Sequence, residues 1–193
     1  MKTKMSLSTP KPRRHLHTRI ISCEGYERED GLFDIEARIV DTKTYEVTEP
    51  YRGRRAPGTH VHDMQLRLTL DRTMTVRGIE VTTNDAPYDP CPTVAPAYKA
   101  LVGAKVGGGW RKAVAEAVGR VKGCTHITEL LMPAATVAFQ TMGSWPKEGQ
   151  VATEEHPGTA KKKPYFIDGC KAWASDGPVV KRLFPLHYKG TDH

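Results

Sequence analysis

Phe33-Asp34-Ile35-Glu36-Ala37-Arg38-Ile39 is the stretch that decides the fold. Phe33, Ile35, Ala37 and Ile39 share one side of an extended chain, and Asp34, Glu36 and Arg38 the other, with Asp41 at an adjoining position. Side chains of a strand alternate between its faces, so the pattern predicts a strand with one face in a core and one in water. Upstream, Glu29-Asp30-Gly31 is a turn signal. Before it, Leu16, Thr18 and Ile20 alternate with His17, Arg19, Ile21 and Cys23, which predicts a second strand and a hairpin. Residues 1–14, basic and with two prolines, are expected to form a flexible tail.

Downstream, residues 46–59 carry Pro50, Gly53, Pro57 and Gly58 and read as a loop. Alternation resumes from His60 to Asp71. His60, His62, Met64, Leu66, Leu68 and Leu70 are expected on one face, with Asp63, Gln65, Arg67, Thr69 and Asp71 on the other. A further strand is predicted from Met74 to Thr83, giving an antiparallel sheet of about four strands. The proline-rich stretch 84–92 ends the strand pattern.

From there the spacing turns helical. A short helix is expected to reach Leu101. A second, over 110–121, is marked by Trp110, Val114 and Val118 on one face, and a third runs from Thr125 towards Met142. Pro133 has no N–H to offer the carbonyl of Glu129, so a kink or break is predicted there. Residues 143–163 read as a loose excursion, Tyr165 to Trp173 as a short helix or strand, and Val179 to Tyr188 as a last packed segment. The expectation is one α+β domain over 15–188: a curved antiparallel sheet from the N-terminal half, packed with helices from the C-terminal half.

The formal net charge is +7, with a pI of about 9.3. Much of the excess sits in Lys11-Pro12-Arg13-Arg14, Arg52-Gly53-Arg54-Arg55 and Lys161-Lys162-Lys163, which read as solvated tails and loops. No nucleic-acid motif accompanies them, so nucleic acid is not an expected partner, whereas small phosphorylated or acidic ligands suit the charge. Cysteines at 23, 91, 124 and 170 form no CxxC pair, against a zinc ribbon or redox motif. No leader-like apolar run and no stretch of about 18 apolar residues is present. A reduced cytoplasmic protein without membrane contact is expected.

Certain motifs are specific enough to suggest a family. These are Glu24-Gly25-Tyr26-Glu27-Arg28-Glu29-Asp30-Gly31-Leu32-Phe33, Asp41-Thr42-Lys43, His62-Asp63-Met64, Ala86-Pro87-Tyr88 with Cys91-Pro92, Gly123-Cys124-Thr125-His126 with Glu129-Leu130-Leu131, Ala138-Phe139-Gln140-Thr141, and Cys170 with Ser175-Asp176-Gly177-Pro178. Over about 15–188 the chain resembles the bacterial family called domain of unknown function 2889. It departs at Phe33 and Phe184, where that family suggests tryptophan, and at Gly108, where it suggests proline. The resemblance implies a setting of aromatic-acid and acyl-CoA degradation by association alone.

The chemistry concentrates at Gly123-Cys124-Thr125-His126-Ile127-Thr128-Glu129. Thr125 is expected to cap the helix, so that Cys124, His126 and Glu129 crowd its first turn beside free N–H groups and the positive end of the dipole. A thiol there becomes more acidic and an anion is stabilised. One reading is a nucleophilic Cys124 with a histidine base and an oxyanion hole of first-turn amides. A second is a buried thiol beside a capping imidazole. A third is a metal held by His62, Cys91, Cys124 and His126, a set tetrahedral zinc accepts.

Glu129, three residues from His126, could orient that imidazole, activate a water or simply favour the helix start. His62 is a candidate general base or a core histidine, and Asp63 faces away from it unless a bulge intervenes. Asp34 and Glu36 could do acid–base work or sit on a solvated face. Gly107-Gly108-Gly109 outlines a phosphate cradle but lacks the P-loop lysine and hydroxyl, and otherwise reads as a connector.

The leading functional expectation is a small hydrolase of acyl- or aryl-CoA thioesters, with Cys124, His126, Glu129, His62 and Asp63 as its candidate residues and no cofactor required. A homo-oligomer is compatible with it. The alternatives are a non-catalytic ligand-binding or partner module and a metal-dependent enzyme.

Overall fold

A computed structural model describes residues 7–143, 163, 164 and 166–190. The chain divides into two compact units, Met1–Gly143 and Ser144–His193, where the sequence suggested one domain over 15–188. Each unit has its own apolar cluster.

In the first unit, β1 (His17–Glu27), β2 (Phe33–Lys43), β5 (His60–Leu70) and β6 (Val76–Asp85) form an antiparallel sheet in the order β1-β2-β5-β6. The β1–β2 hairpin closes at Gly31, whose φ of 82° a residue with a Cβ resists. Asp30 accepts from the amide of Leu32 in the same turn. The loop predicted over 46–59 carries a small ribbon, β3 (Val47–Glu49) and β4 (Gly53–Arg55).

Phe33, Ile35, Ala37 and Ile39 lie on the buried face, as their alternation requires. That row continues to Asp41, whose side chain is 1% exposed. On β5, Met64, Leu66, Leu68 and Leu70 are buried, but the row does not extend to His60. Asp41 pairs with His62 and Thr42 with His60, so Val61 has no partner across the ladder. This extra residue is a β-bulge, and it turns His60 to the outer face, 3.6 Å from Asp63. Strict alternation had placed His60 and His62 together; one inserted residue separates them.

The buried face is covered by α1 (Trp110–Val118), α2 (Thr125–Met142) and a run of 3₁₀ turns over Cys91–Leu101, where an ordinary short helix was expected. α1 is entered through Gly109 at φ 91° and is shorter than the pattern suggested, with a separate 3₁₀ turn at Arg120–Lys122. α2 is continuous through Pro133, so the lost hydrogen bond does not break it. Burial of Ile127, Leu130, Leu131, Ala134 and Ala138 against the sheet outweighs one missing bond.

α2 runs alongside β1 in the same direction. Arg19 meets Glu129 near one end, and Gly25 lies against Thr141 near the other. The six-residue step along the strand is about 20 Å and the twelve-residue step along the helix about 18 Å, so the lengths match. No helix among the described residues is long and apolar enough to cross a membrane.

In the second unit, Ile167, Val180 and Phe184 form a small cluster with Phe166 and Trp173 against it. Tyr165 to Trp173 holds turns and a 3₁₀ turn at Lys171–Trp173, with residue 165 outside the described residues. The last segment is α3 (Pro178–Leu183) and a 3₁₀ turn at Pro185–His187. Of the excursion expected over 143–163, residues 144–162 lie outside the described residues, as do 1–6 of the N-terminal tail; residues 7–14 carry no helix or strand.

Candidate active site

α2 begins one residue earlier than the capping argument supposed. Cys124, with φ −98° and ψ 133°, is the cap residue, and Thr125 is the first helical residue. A thiol is a poor cap. The position is fixed instead by Tyr98, fully buried, whose phenol accepts from the Cys124 amide at 3.1 Å and lies 3.0 Å from the Cys124 carbonyl and 2.9 Å from Thr128 Oγ1. Tyr98 therefore clamps the backbone of the residue that carries the thiol.

Cys124 Sγ lies 3.8 Å from His126 Nδ1 and 3.8 Å from Met64 Sδ. Burial alone would push this thiol up. The His126 imidazole and the amides of Ile127 and His126 outweigh it, so the thiol lies below its ordinary range. No capping hydrogen bond forms from those amides to the neutral thiol; they favour the thiolate.

His126 stacks on His62, with ring centroids 3.8 Å apart and planes 30° apart. His62 reaches this place from β5, and its Nδ1 donates to Asp41 Oδ2 at 3.0 Å. That bond fixes the tautomer and leaves Nε2 as an acceptor. Burial lowers the His62 pKa first, and the neighbouring His126 lowers it further, against the pull of Asp41.

Asp41 is the hub. Arg19 grips it with a fork, Nε to Oδ1 and Nη2 to Oδ2, both at 2.8 Å. His17 Nε2 meets Oδ1 at 3.0 Å, and His126 Nε2 lies 4.0 Å from Oδ2. Burial alone would raise this carboxyl, but Arg19 and then His62 hold it at about 2. It stays ionised at any ordinary pH, as a buried carboxylate with so many donors must. The third nitrogen of Arg19, Nη1, donates to Glu129 Oε2 at 2.7 Å. Glu129 thus serves the Arg19 bridge between β1 and α2.

Other sequence candidates lie elsewhere. Asp63 points to the outer face, where Arg38 holds it by Nε and Nη2 at 2.8 Å each and keeps its carboxyl below the usual range. Asp34 bonds Thr69 and Glu36 bonds Arg67 on that same face. A groove of about 350 Å³ opens there, lined by Arg38, Arg67, Glu36 and Glu80 among others. Arg67 lies 2.7 Å from Glu36 and 3.6 Å from Glu80, so its charges satisfy one another. The chemically distinctive groups are on the opposite, helix-covered face.

Cys91 does not join the histidines. Among the described residues, the donor atoms that converge belong to Asp41, His62 and His126. The four-ligand set with Cys91 and Cys124 is therefore not what the fold assembles.

Asp41, Arg19, His17 and Tyr98 were not singled out from sequence. Asp41 could have been, because it extends a row of buried positions by one step and a carboxylate there requires partners. His17 and Arg19 share the row of β1 that faces it across the ladder.

The model of the family described as "Protein of unknown function (DUF2889)" matches residues 17–140. The match runs from β1 almost to the end of α2 and holds every residue of the cluster. The chain belongs to this family, as the motifs suggested. No curated protein and no solved structure matches it.

Proposed function

We propose that the protein is a hydrolase of acyl- or aryl-CoA thioesters, with Cys124 as nucleophile. The observation that carries the proposal is the chain of contacts from Cys124 Sγ to His126 Nδ1 at 3.8 Å and from His126 Nε2 to the buried Asp41 at 4.0 Å. Both distances exceed a tight hydrogen bond, and such contacts shorten when substrate binds.

His126 takes the thiol proton as Sγ attacks the thioester carbon. The first-turn amides of His126 and Ile127 hold the developing oxyanion. Collapse expels the CoA thiolate, which takes the proton back from His126 and leaves an acyl-Cys124. His62, oriented by Asp41, then takes a proton from water, and the hydroxyl oxygen attacks the acyl carbon. The Cys124 thiolate leaves as the acid is released and takes up the proton that His62 drew from the water, so both groups return to their starting states. Asp63 has no part in this scheme, and Glu129 acts through Arg19.

The net charge of +7 supports a ligand with phosphates. Four free cysteines suit a reducing compartment, and we place the protein in the cytoplasm.

The test is thiol release from a panel of aliphatic and aromatic acyl-CoAs, in buffer containing EDTA. Turnover is expected with at least one, together with an acyl adduct on Cys124 in the mass spectrum of a quenched sample. Cys124→Ala and His126→Ala are expected to lower kcat by at least about a hundredfold. Absence of turnover across the panel by a folded protein overturns the proposal and leaves a binding module as the better account.

A further inference from the structure

We infer that Asp41, His62 and His126 form a site for one divalent first-row transition ion of the zinc class, and that this ion arrests the thiol chemistry beside it. One carboxylate oxygen and one nitrogen from each imidazole all lie within 4.8 Å of one another. Within this trio, Asp41 Oδ2 lies 3.0 Å from His62 Nδ1 and 4.0 Å from His126 Nε2. These distances bracket the roughly 3.3 Å between donors placed tetrahedrally about 2.0–2.1 Å from zinc. Two imidazoles and a carboxylate suit zinc or ferrous iron rather than magnesium or calcium, which prefer oxygen alone.

The four lone-pair positions of Asp41 are filled by Arg19 twice, His17 and His62. The ion therefore takes the place of a proton. His62 shifts its one proton from Nδ1 to Nε2, and the ion enters between Nδ1 and Oδ2. The imidazole stays neutral, so no charge is lost. Arg19 and His17 keep their hold on the carboxylate from outside, as donors behind metal-bound carboxylates do.

The guanidinium beside the site is not a prohibitive charge. Asp41 and Glu129 are two carboxylates against one Arg19, so the group is net negative while its histidines are neutral. Water completes the ion's coordination.

The arrest rests on the proposed Cys124 chemistry; binding does not. An ion on His126 Nε2 requires the lone pair there, so the neutral ring carries its proton on Nδ1 and has no lone pair left to take the thiol proton.

Calorimetric titration with zinc chloride tests the site without any activity. The full-length Cys124→Ala chain, stripped by chelator, is expected to take up one ion. His62→Ala and His126→Gln are each expected to weaken uptake at least about tenfold, and His60→Ala, on the outer face beside Asp63, to leave it unchanged. Circular dichroism of each metal-free variant shows whether it is folded. No uptake by the parent, or unchanged uptake in both folded histidine variants, overturns the site.

For the arrest, thioester turnover of the native chain is measured in EDTA and then in zinc. Loss on adding zinc, reversed by EDTA, supports it. Turnover that needs zinc, or ignores it, overturns the arrest while leaving the site. Absent turnover in both buffers sinks the hydrolase instead, and the titration still decides whether the ion binds.

Discussion

Asp41 shows what one residue type at one parity of a strand commits a fold to. A carboxylate that is 1% exposed cannot be left unpaired, and here it collects donors from β1 and β5. Asp41→Asn is expected to cost about 3 kcal/mol in urea unfolding, because Arg19 loses its counter-charge and the donors gathered on the carboxylate lose an acceptor oxygen. The same residues set a pH dependence.

His62 titrates lower when folded, so its contribution is complete above its unfolded pKa of about 6.5 and declines as pH falls below that. Asp41 lies at about 2 when folded against about 3.9 unfolded, so it contributes about 2–3 kcal/mol above pH 4, lost as pH falls towards 2. Urea midpoints are expected to fall in two stages on acidification, and His62→Ala to remove the first. A flat profile between pH 7 and 5 in the native chain would contradict this account of His62.

At the scale of elements, α2 and β1 are fitted end to end. A Cβ on Gly25 would collide with the Thr141 hydroxyl and press on both other side-chain carbons. Gly25→Ala is therefore expected to destabilise by about 1–3 kcal/mol in thermal unfolding. Thr141→Ala should recover most of that in the double variant, and a simple sum of the two costs would exclude the contact as the cause. Pro133→Ala restores an N–H for the Glu129 carbonyl, and a gain of about 1 kcal/mol is expected after the looser unfolded chain is allowed for.

The four main strands and α2 were legible because period two and period 3.6 are written in their apolar residues. The face of His60 was not, because a bulge at Val61 leaves no mark in an alternating pattern. Nor was the hub. Arg19, Asp41 and His126 are far apart in the chain, and only strand pairing and the docking of α2 bring them together. Cys124 and His126 were found because they lie two residues apart at the start of one helix.

At the scale of the whole molecule, the cluster lies within one of two compact units. A fragment of residues 1–143 holds the sheet, α1, α2 and every cluster residue. It is expected to unfold cooperatively, with the same response of its urea midpoint to pH as the full chain; a fragment without cooperative unfolding would show that the core described here is insufficient by itself. Within that core, Leu130→Ala is expected to cost about 2–5 kcal/mol, since Leu130 is fully buried against the sheet.

The face-to-face histidines also have a spectroscopic consequence. Each imidazole places its carbon-bound protons in the shielding region of the other ring, so the Hε1 and Hδ2 resonances of His62 and His126 should lie upfield of those of solvent-exposed histidines. Two displaced proton signals, needing no added label, would report on whether the rings are still together.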